Sequence, residues 1–393
     1  MKATSSVTKP ATSPAKTSYH SYVIRRFYVH NFRCLENFEL PIAGLSSVLL
    51  IGDNGSGKST IRQAISILQG IARGENRVDT HVKAKDFTGG RKDVPIRFEI
   101  EVEIHNRVYE YVVAFELHPE HTELRVLQER LTYDGRPIYS REHAQVTLAK
   151  DDLGQKAEAK FLIDWHVVAL PLVQEKSKTD PLFIFRQWLS RVLILSPIPR
   201  IMLGEADKET LQPDDALLDF GDWFSGILSL APAAYSSIDK YLKQVMPDFQ
   251  DIRKTVNDRG LRELDVRFSD GKAAVSIPFR DLSDGEKSFM ICALVLAANE
   301  AYGPLLCFWD EPDNHLALKD VGHFTMALRK AFKKGGQFLA TSHNSEAIRS
   351  FSAENTLFLY RNSHLEPTVV RRLEEMQIDG NLVDALIRGD VEP

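Results

Sequence analysis

The chain has 393 residues, of which 43% are hydrophobic, so it is long enough for one large domain or two ordinary ones with a sizeable core. The formal net charge of −5 argues against a protein whose whole surface is basic for nucleic-acid binding. The three cysteines have neither metal-ligand spacing nor a disulfide pattern, which indicates a reducing, cytoplasmic compartment. No apolar run is long enough to span a membrane, so no membrane partner is expected.

The first 21 residues are predicted to form a disordered tail. They are rich in Ser, Thr, Pro and Lys and lack the apolar centre of a signal peptide. Residues 1–34 carry six Lys and Arg residues and no Asp or Glu. A solvated tail explains this basic excess, and a contact with nucleic acid or a partner is the open alternative.

An N-terminal lobe is predicted over residues 22–150. Residues 22–32 and 36–42 resemble two short strands joined by a turn, and "SSVLLIG" is a continuous apolar run typical of a buried parallel strand. A helix is expected from Lys58 to about Ile71, with one apolar face. Residues 94–139 alternate polar and apolar side chains, which predicts an antiparallel β meander.

The segment "GDNGSGKST", residues 52–60, matches the phosphate-loop pattern G-x-x-x-x-G-K-[ST] in full. An apolar strand precedes it and an amphipathic helix follows, so backbone N–H groups and the helix N-terminus point at an anion. Lys58 is expected to reach the β- and γ-phosphates and Ser59 to bind Mg²⁺. The remaining candidate nucleotide-binding residues of the loop are Asn54, Gly55, Ser56, Gly57 and Thr60.

Two adjacent carboxylates follow a second apolar strand in "LLCFWDEPDNHL", residues 305–316. Asp310 is expected to hold Mg²⁺ through water, and Glu311 to orient or deprotonate the attacking water. A third apolar strand ends in Thr341, Ser342 and His343, at the edge where parallel sheets bind ligands. His343 is therefore predicted to donate a hydrogen bond to the γ-phosphate.

Two further segments complete the predicted organisation. Residues 151–260 are expected to be a mainly helical insertion, broken by prolines and acidic loops. Residues 261–393 alternate strands and helices, which predicts a C-terminal lobe containing a parallel sheet. The helical insertion lacks sustained heptads, so a long coiled coil is not expected.

The segment "LSDGEK", residues 282–287, begins a helix with a capping box formed by Ser283 and Glu286. The residues after it are almost entirely apolar, which predicts a capped, buried helix. A helix N-terminus with a small hydroxyl and a glycine is also a second site for phosphate. Both interpretations hold at once.

In this order, the phosphate loop, "LSDGE", "LLCFWDEPDNHL" and "TSH" resemble the motifs of the ATP-binding cassette superfamily. "LSDGE" resembles its LSGGQ signature, with Asp284 and Glu286 as departures, and "EPDNHL" resembles its D-loop. "HNFRCLENFEL" resembles the RecF, SMC and OLD group of ATPases, here without a long coiled coil or a TOPRIM nuclease domain. The fold implied is an α/β P-loop NTPase of ABC type, with a mixed sheet flanked by helices, an antiparallel meander and a helical lobe.

The resemblance also implies site residues and partners. Two heads of this superfamily sandwich ATP, so Ser283 and Gly285 would contact the γ-phosphate bound by the partner subunit of a homodimer or higher homo-oligomer. Arg33 becomes a candidate nucleotide contact. Gln174 is the candidate for the glutamine that links nucleotide and metal to the helical lobe.

The predicted function is a Mg²⁺-dependent ATPase that dimerises on ATP and uses hydrolysis to control nucleic acid or a separate effector protein. A role in bacterial defence or DNA repair fits that class. The alternative is a scaffold that binds ATP with little turnover and sequesters a partner. Glu311 and His343 favour turnover, whereas the altered signature leaves slow turnover open.

Overall fold

Three β-sheets and eight helices organise the residues that the computed structural model describes, which are 23–118, 122–149, 159–256 and 260–376. The strands are β1 (Val23–His30), β2 (Phe38–Glu39), β3 (Ser47–Gly52), β4 (Ile96–Ile104), β5 (Arg107–Leu117), β6 (Leu124–Tyr133), β7 (Arg136–Glu142), β8 (Gln145–Leu148), β9 (Ala159–Leu162), β10 (Leu193–Leu195), β11 (Phe249–Val256), β12 (Arg262–Ser269), β13 (Ala274–Pro278), β14 (Leu306–Trp309), β15 (Gln337–Thr341), β16 (Thr356–Tyr360) and β17 (Val369–Arg372). The helices are α1 (Lys58–Arg73), α2 (Val78–His81), α3 (Pro181–Ser190), α4 (Phe220–Leu230), α5 (Ala234–Val245), α6 (Asp284–Tyr302), α7 (Leu318–Lys333) and α8 (Ser345–Phe351). The tail predicted over residues 1–21 lies outside the described residues.

The predicted β meander is part of an eight-stranded antiparallel sheet with strand order β2-β1-β4-β5-β6-β7-β8-β9. Strand β4 partly alternates between buried and half-buried side chains, because one face packs on the core. The buried carboxylate of Glu129 on β6 accepts hydrogen bonds from Tyr111, Tyr139 and two backbone N–H groups, at Ala169 and Leu170. These bonds fix the chain that follows β9 against the sheet.

A second, six-stranded sheet has the order β10-β14-β15-β3-β16-β17 and is parallel except for β17. Its strands β3, β14 and β15 are mostly apolar and almost entirely buried, as expected for a sheet covered on both faces. Because β14, β15 and β3 are neighbours, the loops that follow them meet at one edge. The carboxylates, His343 and the phosphate loop lie in those three loops.

A buried glutamine joins the two large sheets. The side chain of Gln337 accepts a hydrogen bond from the N–H of Ile24 at 3.1 Å and donates to the carbonyls of Ile42 and Leu45 at 3.0 and 2.9 Å. All of its polar groups are therefore satisfied, as burial requires. This fixes the parallel sheet against the start of β1.

The helices cover the parallel sheet according to their apolar patterns. Helix α1 buries Ile61, Ala64, Ile65 and Leu68 completely, which confirms the predicted apolar face. Helix α6 is apolar around its whole circumference over its middle turns, and the residues Met290–Val295 are buried. It packs against α4, α5 and α7, so no face of those turns meets solvent.

The region expected to be mainly helical, 151–260, contains strands as well. Its described part has helices α3, α4 and α5, but β9 pairs with the meander sheet and β10 pairs with β14 of the parallel sheet. Strand β11 pairs with β12 in a third, antiparallel sheet with β13. Short strands at sheet edges have little periodicity of their own. Strands were therefore not predicted in this proline-broken region.

The three cysteines lie in the protein interior. Cys34, Cys292 and Cys307 are all buried and free, and the thiols of Cys292 and Cys307 lie within the apolar core. Within the described part of the chain, no helix is both long and apolar enough to cross a membrane.

Candidate active site

The phosphate loop joins β3 to α1 and depends on glycine at two close approaches. At Gly52, with φ +145°, a Cβ atom would lie 2.0 Å from the carbonyl oxygen of Leu359. At Gly57, with φ +109°, a Cβ atom would lie 2.5 Å from Thr368 Oγ1. Larger side chains cannot be accommodated there, and the left-handed conformation of Gly57 turns the chain directly into the helix. Glycine at these two positions therefore lets the loop pack closely against Leu359 of β16 and against Thr368.

Lys58 lies at the centre of the loop and is held by backbone. Its Nζ donates hydrogen bonds to the carbonyl oxygens of Gly52 at 2.6 Å and Asp53 at 3.0 Å. Burial lowers the pKa of Lys58, and the charges of Glu311, Asp310 and Asp53 oppose that shift. A partly desolvated ammonium interacts strongly with an anion, because water screens it less.

The loop also contains a buried polar atom without a hydrogen bond in the described structure. Ser56 Oγ is buried and has no hydrogen-bond partner among the described residues. Buried hydroxyls are nearly always hydrogen-bonded, so an unpaired one beside Lys58 marks a place for a polar ligand. The residues present therefore fit a bound polyphosphate.

The two carboxylates leave β14 side by side and are organised by one hydroxyl. Thr341 Oγ1, fully buried at the end of β15, donates to Asp310 Oδ1 at 2.5 Å and accepts from the N–H of Glu311 at 2.9 Å. The second carboxylate oxygen of Asp310 lies 3.5 Å from Arg62 Nε. The sequence indicated both acids but gave no role to Thr341 or Arg62.

Glu311 has a strained backbone and a held side chain. Its φ of +49° is in the left-handed region, which costs a non-glycine residue free energy and is often found at functional sites. Its Oε2 accepts a hydrogen bond from Asn314 Nδ2, and its Oε1 lies 3.8 Å from His343 Nε2. Both side chains remain more than a third exposed, so each is accessible to a ligand.

The phosphate loop, the two acids and His343 line one cavity of about 500 Å³, within the range typical of small-molecule sites. The cavity walls contain loop residues 54–60, the acids Asp310 and Glu311, His343, and three further residues, Arg33, Cys34 and Arg361. Thus the candidate residues of the phosphate loop meet those that follow β14 and β15 at one cavity. Groups of three or more His, Cys, Asp or Glu side chains able to hold a metal are absent from the described residues. A magnesium ion here would use Asp310, Ser59 and phosphate oxygens, which is the usual composition of such sites.

Arg33 and Arg361 approach the cavity from opposite ends of the chain. Arg33 has φ +54°, and its Nε donates to Asp86 Oδ1 at 2.9 Å. Arg361 follows β16, the strand beside β3, and donates to the carbonyls of Gly55, His364 and Glu366. Arg361 was not predicted, although a charged residue at the C-terminal end of a parallel strand is the signal that identified His343.

Helix α6, the signature helix that begins with "LSDGE", contributes no residue to the described lining of this cavity. Ser283 caps α6: its Oγ accepts from the N–H of Glu286, and Glu286 Oε2 accepts from the N–H of Ser283, which confirms the capping box. Neither Ser283 nor Gly285 is among the described residues that line the phosphate-loop cavity. Their side of α6 instead faces the D-loop, since a Cβ atom on Gly285 would lie 3.0 Å from the carbonyl of His315.

A buried lysine supports the start of the signature helix. Lys287 Nζ donates to the backbone carbonyls of Pro199, Met202 and Arg280 at 2.8, 3.3 and 2.9 Å. Burial lowers the pKa of Lys287. Three carbonyls use all three ammonium protons, so this lysine fixes the segment after β10 to α6.

Gln174 is not brought to the site. It lies exposed on the chain between β9 and α3, and it is not one of the described residues around the cavity. The bonds from Ala169 and Leu170 to Glu129, with the burial of Val173, hold this part of the chain on the meander sheet. The choice of Gln174 is therefore corrected: the structure gives it no contact with the metal site.

The fold is that of an ABC-type P-loop protein, and the motifs resemble those of the RecF, SMC and OLD group. The family model described as "AAA domain, putative AbiEii toxin, Type IV TA system" matches residues 47–349, and the chain belongs to this family of AAA domains. The predicted fold class is confirmed.

Two solved structures and one curated protein are similar to this chain. An SMC head bound to the C-winged helix domain of ScpA superposes with a TM-score of 0.51 at 16% identity, covering 90% of this chain and 98% of that one. The SMC head domain from Thermotoga maritima gives a TM-score of 0.45 at 15% identity, covering 89% and 98%. An OLD nuclease from Thermus scotoductus is 44% identical over 48 residues, which span 12% of this chain and only 9% of that protein.

Proposed function

We propose that this protein is a Mg²⁺-dependent ATP hydrolase whose two ATP sites form between the heads of a homodimer or higher homo-oligomer. The observation that carries the proposal is the meeting of Lys58, Asp310, Glu311 and His343 at one cavity. Mg²⁺ would supply charge neutralisation of the phosphates, as it does in other phosphoryl-transfer sites. Glu311, accessible and held by Asn314, is positioned to orient or deprotonate a water molecule.

The location of the signature supports the composite site. Ser283 and Gly285 do not line the described cavity, yet Ser283 begins a 19-residue helix whose N-terminus favours an anion. A second copy that presents this helix end to the phosphate loop would complete the site. ATP binding would then close the dimer, and hydrolysis would open it again.

The biological part of the proposal is control of nucleic acid or a separate effector protein in bacterial defence or repair. The SMC head bound to a ScpA domain supports a head that acts with another polypeptide, and the short match to an OLD nuclease supports a link to nucleic acid. A cytoplasmic location belongs to the same proposal, and the free, buried cysteines favour it.

A steady-state phosphate-release assay, with and without DNA, tests the activity. Wild type should release phosphate in the presence of Mg²⁺, and Lys58→Ala should neither bind ATP nor release phosphate. Losing a charge-assisted contact costs on the order of 1.5–3 kcal/mol, and rather more at a triphosphate. Nucleotide affinity that is equal in both proteins by calorimetry would refute the site. ATP binding without turnover would favour the scaffold that sequesters a partner.

A further inference from the structure

Arg62 lies one helical turn after Lys58 on α1 and joins two carboxylates. Its Nε is 3.5 Å from Asp310 Oδ2, and its Nη1 is 3.4 Å from Asp215 Oδ2. The side chain is three-quarters buried, and Nε makes no hydrogen bond within the described structure. The contact with Asp310 is therefore a charge attraction at longer range, without the short, directed geometry of a fork-like arginine pair.

This contact uses the oxygen of Asp310 that a metal would need. The other oxygen, Oδ1, already accepts the hydrogen bond from Thr341 Oγ1. A divalent cation, or a water bound to it, must therefore approach an Asp310 whose Oδ2 faces a guanidinium. Two cations repel each other at such a distance, and partial burial reduces the screening by water. Metal binding and the present position of Arg62 thus oppose each other.

Asp215 already accepts a hydrogen bond from Arg62 Nη1, and its backbone belongs to the support of the signature helix. The carbonyl of Asp215 accepts a hydrogen bond from the N–H of Ser196 at 2.7 Å, directly after β10. The same segment continues to Pro199 and Met202, whose carbonyls bind Lys287 of α6. Arg62 therefore stands between the metal-binding carboxylate and the chain that positions the signature.

We propose that Arg62 is a positioning residue that Asp310 shares with Asp215 until Mg²⁺ arrives, and that metal binding transfers it entirely to Asp215. The inference rests on the proposed function, because it assumes that Asp310 helps to hold Mg²⁺. Arg62 then raises the Mg²⁺ concentration that nucleotide binding requires. Asp215 lowers that concentration, because it attracts the guanidinium away from Asp310. The transfer reports occupancy of the metal site to the segment that supports α6.

The test measures the Mg²⁺ concentration at half-saturation of ATP binding, by calorimetry, in a Glu311→Gln background that prevents hydrolysis. Arg62→Gln should lower this concentration by roughly two- to fivefold, and Asp215→Asn should raise it by a similar factor, as for a partly exposed ion pair. Arg62→Lys keeps the charge and should stay near the parent. ATP binding in EDTA should be the same in all variants, since no metal competes there.

The double variant Arg62→Gln/Asp215→Asn separates a transfer from a simple change of local charge. If Asp215 acts through Arg62, Asp215→Asn should have no further effect once Arg62 is gone. Additive effects of the two substitutions would overturn the proposal, as would single variants that shift the Mg²⁺ requirement in the same direction or leave it unchanged. A variant that misfolds is recognised by lost ATP binding in EDTA, and Arg62→Lys with Asp215→Asn then carries the test.

The outcomes also separate this inference from the proposed function. A parent protein that binds no ATP at any Mg²⁺ concentration would refute the nucleotide site itself. Normal ATP binding with an unchanged Mg²⁺ requirement in Arg62→Gln would refute only the role of Arg62.

Discussion

Thr341 Oγ1 donates a 2.5 Å hydrogen bond to Asp310 Oδ1, which links the ends of two neighbouring parallel strands. The same oxygen accepts the N–H of Glu311 at 2.9 Å. One buried hydroxyl thus orients the carboxylate proposed to hold Mg²⁺ and holds the residue proposed as base in its left-handed backbone conformation. The geometry of the two acids therefore depends on β15 as well as on their own strand.

Thr341→Val should slow ATP turnover by about ten- to a hundredfold. Valine has nearly the shape of threonine but can neither donate to Asp310 nor accept from Glu311, and a hydrogen bond to a charged group contributes about 1.5–3 kcal/mol. Thr341→Ser keeps the hydroxyl and should retain most of the turnover. ATP binding in EDTA should remain normal in both. Equal turnover in the valine and serine variants would show that the hydroxyl does not organise the acids.

Glu311→Gln should bind ATP but hydrolyse it about 10²–10⁴-fold more slowly, because glutamine cannot accept a proton. Its amide oxygen can still accept the hydrogen bond from Asn314, so the loop should keep its structure. The variant should accumulate an ATP-bound dimer, which light scattering would detect. Glu346→Gln on α8 is a control carboxylate outside the cavity wall. Turnover equal to wild type in Glu311→Gln would exclude this residue as the base.

The free energy of unfolding should depend measurably on pH because of the acidic loop before α4. Burial, followed by the charge of Asp214, raises the pKa of Asp219 from 3.8 to about 6. Folded protein therefore holds a proton that the unfolded chain releases, so this stabilising contribution is present below about pH 3.8 and is lost as the pH rises through 6.

Asp219→Asn should consequently increase the free energy of unfolding at pH 7 relative to wild type, with the difference shrinking towards pH 4. Asparagine keeps an oxygen to accept the N–H of Asp214. Because Asp219 is only half-buried, the gain should be on the order of 1 kcal/mol. Urea unfolding at several pH values measures it, with Glu209→Gln as an exposed control. A difference that is independent of pH would contradict the assignment.

The sequence predicted those parts of the site that follow from local rules. An apolar strand, a glycine-rich loop and a helix specify the phosphate loop, and acids or a histidine directly after apolar strands specify the sheet edge. The structure brings residues 54–60, Asp310, Glu311 and His343 together on that basis. The capping box at Ser283 is equally local, since its two partners are three residues apart.

The contacts that the sequence did not reveal join distant parts of the chain. Thr368 Oγ1 donates to the carbonyl of Ser56 at 2.8 Å, and Arg361 contacts Gly55, although some 300 residues separate each pair. Arg62 meets Asp215 across 153 positions. Such pairs depend on strand order and loop path, which periodicity does not encode. Gln174 was misplaced for the same reason, because Glu129 fixes the preceding segment on the other sheet.

The composite site makes a prediction that concerns mixed subunits. Lys58→Ala lacks a working phosphate loop but keeps its signature helix. Ser283→Arg blocks the start of α6 with a bulky side chain but keeps the cavity, which Ser283 does not line among the described residues. Each homodimer should be nearly inactive. A mixed dimer contains one site built from the two intact halves and one site that is doubly defective.

Mixing the two inactive proteins should therefore restore phosphate release, up to about a quarter of the wild-type rate if subunits exchange randomly. Half of the dimers are then mixed, and one of their two sites works, provided that the sites act independently. Exchange is checked by mixing fluorescently labelled subunits and measuring energy transfer between them. A phosphate loop and signature that act within one chain would give no recovery at any ratio of exchanging subunits. Recovery would show that the helix beginning at Ser283 serves the cavity of another copy, because neither chain alone contains both intact halves.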